Sequence, residues 1–111
     1  MNPNYNYLKD KVSRIPKVTA RPMFGYHCYS VSGKFFVGFN NKNNYQIIIR
    51  LPREQQEIAI KNKGIRPSPH GTKMGWIQIN AKEIKTEDAF KWILKGHKYA
   101  KNLAKNSLKT K

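Results

Sequence analysis

From Val18 to Leu51 the chain runs in short stretches of alternating apolar and polar residues, separated by turn residues. A helix cannot use that pattern; an antiparallel sheet requires it. Val18–Phe24 reads as extended, with Pro22 marking an edge or a bulge, and Gly25 breaks the run. Tyr26–Val31 and Lys34–Phe39 flank Ser32-Gly33, a tight hairpin signal in which Gly supplies a positive φ. Strict alternation in the second of these places Phe35, Val37 and Phe39 on one face, with Phe36 and Gly38 on the other. After the turn Asn40-Asn41-Lys42-Asn43-Asn44, alternation resumes: Tyr45, Ile47, Ile49 and Leu51 oppose Gln46, Ile48 and Arg50. A further strand is expected at Met74–Asn80, with Met74, Trp76 and Gln78 opposing Gly75, Ile77 and Ile79.

Three helices complete the pattern. The first is expected from residue 3 to 15, with Asn2-Pro3 at its start and Tyr5, Leu8, Val12 and Ile15 on one stripe; Pro16 ends it. The second starts at Pro52 and runs to about Asn62, with Gly64 as its stop. The third begins at the N-cap Thr86, carries Glu87 and Asp88 in its first turn, and runs to about Ala104. At 100° per residue Ala89, Ile93, Ala100 and Ala104 cluster on one side. Lys91, Lys95, Lys98, Lys101 and Lys105 fall within about 120° on the opposite side, with Leu94 the one apolar residue among them. The expected fold is therefore α+β: an antiparallel sheet of about four to five strands with N-terminal, middle and C-terminal helices packed on it. Residues 1–106 read as one domain and 107–111 as a basic tail.

Charge narrows the function classes. Against 22 Lys+Arg stand 6 Asp+Glu, a net charge of +16 on 111 residues, and no acid follows Asp88. Such a field favours polyanionic partners. The 39% hydrophobic content is too high for a disordered basic tail. No apolar run approaches membrane-spanning length, so no membrane partner is expected. The single cysteine, Cys28, excludes an intrachain disulfide, and Met1-Asn2-Pro3-Asn4 lacks the layout of a secretory signal. A cytoplasmic location is expected.

Met23-Phe24-Gly25, the hairpin with Gly33 and Phe36, Leu51-Pro52, and Gly71-Thr72-Lys73-Met74-Gly75-Trp76 occur in an order that resembles the N-terminal domain of TfoX/Sxy proteins, as does the closing Lys98-Tyr99-Ala100-Lys101-Asn102-Leu103. The resemblance covers about residues 18–105, as a stand-alone domain without the family's helical C-terminal domain. It implies an α+β fold and a role in regulation of natural competence and transcription. It supplies no catalytic residues; Met23, Phe24 and Gly25 look structural within it.

Catalytic patterns are thin. Four of the six acids sit at expected helix starts, where capping accounts for them. His27 and Cys28 are strand neighbours pointing to opposite faces, and zinc-type spacings are absent. A Cys28 nucleophile paired with His70 or His97 is the one conceivable dyad. No enzyme activity, metal or cofactor is expected. Arg66-Pro67-Ser68-Pro69-His70-Gly71-Thr72-Lys73 reads as a loop that could grip a phosphate or border a small-molecule pocket.

The sequence thus points to a non-enzymatic intracellular regulatory protein associated with nucleic acid, DNA foremost. Lys91, Lys95, Lys98, Lys101 and Lys105 would contact phosphate, with Arg50, Arg66 and Lys73 as weaker candidates. Tyr26, Tyr29 or Trp76 could stack bases if exposed. The alternative is a protein–protein interaction module that binds an acidic partner without touching nucleic acid. A homodimer through a strand edge stays open.

Overall fold

A computed structural model of the chain describes residues 3–23, 25–40, 46–67, 76–80 and 83–109. The order of elements is α1 (Pro3–Ser13), β1 (Val18–Met23), β2 (Tyr26–Val31), β3 (Lys34–Asn40), β4 (Gln46–Arg50), α2 (Arg53–Ala59), β5 (Ile65–Pro67), β6 (Trp76–Asn80) and α3 (Thr86–Lys109). Every strand pairing is antiparallel, and the sheet order is β1-β2-β3-β4-β6-β5. The α+β expectation holds, but the sheet has six strands rather than four or five.

The added strand is β5, which falls where the sequence suggested that a loop begins at Arg66. It is three residues long and ends in proline, too short to show a period. Ile65 is nevertheless buried, and Arg66 stands opposite Gln78 of β6. Phe24, Tyr45, the loop positions Ser68 to Lys73, and Met74 and Gly75 lie outside the described residues.

All three helices feed one core. Leu8 and Val12 of α1, Ala59 of α2, and Ala89, Ile93 and Ala100 of α3 pack with Tyr29, Val31, Phe36, Val37, Phe39, Ile47, Ile49, Leu51, Ile65, Ile77 and Ile79. Tyr29 and Phe39 meet edge to face at 5.7 Å. A second, strand-borne cluster of Tyr26, Cys28, Ile48 and Trp76, with Phe35 against it, lies on the other sheet face. Alternation therefore assigns faces correctly in β4 and β6, where Ile47 and Ile49, then Ile77 and Ile79, join the helix side.

It fails in β3. The register slips between Tyr29 and Ser30: Tyr29 pairs with Val37 but Ser30 pairs with Phe35, which leaves Phe36 as an extra residue. This bulge turns Phe36 toward the helices beside Val37 and sends Phe35 to the opposite face.

Helix ends differ from expectation for local reasons. The first helix stops at Ser13 rather than 15, where the Ser13 hydroxyl donates to the Asp10 carbonyl at 2.6 Å. The second ends at Ala59 rather than Asn62, because the Asn62 amide donates to the carbonyls of Ile58 (3.1 Å) and Ala59 (3.2 Å) and closes the last turn. Pro52 is the N-cap of that helix, in extended conformation, rather than its first helical residue. The third continues to Lys109, beyond Ala104 and into the segment expected to be a tail; neither Pro nor Gly follows Gly96 to stop it. At the β2–β3 turn both Ser32 (φ 51°) and Gly33 (φ 79°) are left-handed, the conformation of a tight two-residue hairpin.

Candidate nucleic-acid interface

The lysine stripe is positioned by what the opposite side of α3 does. Ala89, Ile93 and Ala100 are buried against the sheet, and Gly96 lets the helix backbone approach β3 and β4 closely. An added Cβ at Gly96 would lie 2.7 Å from Ile49 Cγ2, 3.1 Å from the Arg50 carbonyl oxygen and 3.2 Å from the Phe36 carbonyl oxygen. Lys11 of α1 lies 4.6 Å above the Phe90 ring and fastens the first helix alongside. With its rotation fixed, α3 turns Lys91, Lys95, Lys98, Lys101 and Lys105 outward, and all five are exposed.

From Lys91 to Lys105 the ridge spans about 21 Å at 1.5 Å per residue. Among the described residues none of the five pairs with a carboxylate; the ion pair of Arg14 with Asp10 (3.1 Å) lies on α1. The ridge is not uniform. At its N-terminal end Lys91 and Lys95 border a groove of about 360 Å³ that also holds Glu83 and Asp88. Lys95 sits 5.6 Å over the Trp92 ring. Leu94, inside the ridge, is 42% exposed. Beyond Asp88 the helix carries no acid, so Lys98, Lys101 and Lys105 form its one-sided part.

The structure does not bring the arginines to this ridge. Arg50, opposite Trp76, and Arg66, opposite Gln78, alternate onto the sheet face that carries Ile48 and Trp76, away from α3. Lys73 lies outside the described residues. The candidate stacking aromatics are core: Tyr26, Tyr29 and Trp76 are 4%, 5% and 9% exposed. A Cys28–His97 dyad is excluded by geometry, since Cys28 lies in the cluster on one sheet face and α3 covers the other. Burial also raises the Cys28 thiol above its ordinary pKa, away from the reactive thiolate. His70 lies outside the described residues. Among them, no group of three His, Cys, Asp or Glu residues could hold a metal ion, and no helix is long and apolar enough to cross a membrane.

No family model and no curated protein matches the chain. Among solved structures, it is similar to a crystal structure of a protein from Pseudomonas syringae determined by the Northeast Structural Genomics Consortium. The TM-score is 0.72 at 15% identity, over 90% of this chain and 99% of that one. The two share a fold.

Proposed function

We propose that this chain is a non-enzymatic, intracellular regulatory protein that associates with nucleic acid, DNA foremost, through phosphate contacts along α3. The observation that carries the reading is the exposure of all five lysines on one side of a helix whose other side is locked to the sheet. The resemblance of the sequence to the TfoX/Sxy N-terminal domain agrees with a regulatory role.

The mechanism is charge neutralisation with release of condensed counterions. Lysine ammonium groups act as point charges and carry no base code. With Arg50 and Arg66 on the far sheet face, neither of these arginines stands beside the ridge to read base edges. Binding is therefore expected to be sequence-tolerant and steeply salt-dependent. With five phosphates neutralised at about −0.9 each, log K falls against log salt with a slope near −4.5. Retention on random duplex DNA and on heparin across a salt series measures this, and a slope near zero overturns the reading.

Exposed Leu94 favours a second reading, in which the ridge docks an acidic partner protein that also offers an apolar contact. Pull-down from nuclease-treated lysate separates the two: a partner that survives the nuclease supports docking, and loss of all bound material supports nucleic acid.

A further inference from the structure

Three segments far apart in sequence meet beside the C-terminal half of α3. The α1–β1 connection brings Ile15, Pro16 and Lys17; the end of β2 and its turn bring Val31 and Ser32; α3 brings His97 and Lys101. Together they line a half-enclosed cavity of about 320 Å³. Its polar lining residues are Lys17, Lys101, Ser32 and His97, with no Asp or Glu among the described residues that line it. His97 Nε2 is buried and has no hydrogen-bond partner among the described residues. The ring meets Phe36 edge to face, with centroids 5.2 Å apart.

We infer that this cavity is a binding site for a small oxyanion, phosphate or the phosphate end of a phosphomonoester, seated between the ammonium groups of Lys17 and Lys101. The Ser32 hydroxyl donates to it, and its negative charge lies beside the His97 imidazole. The organic part of a phosphomonoester would lie along Ile15, Pro16 and Val31, the apolar side of the lining. Burial, and then the charge of Lys101, hold the His97 pKa below the ordinary imidazole value. A bound oxyanion offsets the charges of Lys17 and Lys101, the charged groups lining the cavity with His97, and therefore moves that pKa upward.

The site shares Lys101 with the α3 ridge but does not depend on the ridge meeting a polymer. It is tested on the ¹⁵N-labelled full chain by NMR. Inorganic phosphate is titrated at constant ionic strength against chloride, and adenosine 5′-monophosphate is titrated in a parallel arm. Saturable shifts are expected at the Lys17 and Ser32 amides and the His97 ring, with an upward move of the His97 pKa. Lys17→Gln should weaken phosphate binding about tenfold, as for loss of one charge-assisted contact, and Lys61→Gln should leave it unchanged. The backbone spectrum of each variant reports its folding. Tighter binding of the nucleotide identifies a phosphomonoester site, and equal binding identifies free phosphate. Shifts that do not saturate, that chloride reproduces, or that follow Lys61→Gln rather than Lys17→Gln overturn the inference. Because the probes are small, DNA affinity can fail while this site stands, and the reverse.

Discussion

At Gly96 the helix backbone and the sheet backbone nearly touch, and an added methyl group would have to displace Ile49 or the carbonyls of Arg50 and Phe36. Glycine inside a helix costs about 1 kcal/mol relative to alanine, and here the close approach offsets that cost. Gly96→Ala is expected to lose about 1–2 kcal/mol of unfolding free energy in urea, overpacking outweighing the gain in propensity. Stabilisation by the same change would contradict the packing. His97 makes a second prediction at this scale. Its folded pKa is lowered, first by burial and then by Lys101. The unfolded chain therefore binds the proton more readily. Stability is fully present above the unfolded value, about pH 6.5, and declines as pH falls from there through the folded pKa. Thermal melts from pH 7.5 to 5 should show that decline, and His97→Phe should flatten it. The ridge lysines were legible residue by residue because helix angle alone sets them apart. The cavity around His97 was not, because Lys17 and Ser32 reach it from two turns that only the tertiary fold places side by side.

Within the elements, β3 shows what a period of two can and cannot report. Ile47, Ile49, Ile77 and Ile79 fall where alternation puts them, because β4 and β6 pair without a slip. The bulge opposite Tyr29 and Ser30 reverses Phe35 and Phe36, and nothing in the local sequence announces it. Phe36 is fully buried whereas Phe35 is partly exposed. Phe36→Ala should therefore cost about 3–5 kcal/mol and Phe35→Ala clearly less, as measured by chemical denaturation. Equal costs would contradict the bulged register. The sheet's two outer strands carry Pro22 and Pro67, residues that cannot donate to a neighbouring chain. Pairing through these edges is disfavoured, and Pro22→Val is expected to raise self-association in sedimentation velocity.

For the molecule as a whole, a charge of +16 alone would attract any polyanion, so the field does not distinguish a built surface from diffuse attraction. The contribution of the fold is placement. It holds α3 against β2, β3 and β4 and leaves five lysines facing outward. It also sends Arg50 and Arg66 to the other side of the sheet, a separation that charge counting could not show. The most direct test compares two doubly reversed variants with equal net charge. Lys95→Glu with Lys98→Glu removes ridge contacts; Arg21→Glu with Arg66→Glu changes the total charge by the same amount on the opposite face of the sheet. DNA affinity is followed by fluorescence anisotropy from about 50 to 200 mM salt. The ridge variant should show a slope shallower by about 2 and the other variant a slope close to that of the parent chain. Identical slopes in the two variants would contradict the assignment of phosphate contacts to α3.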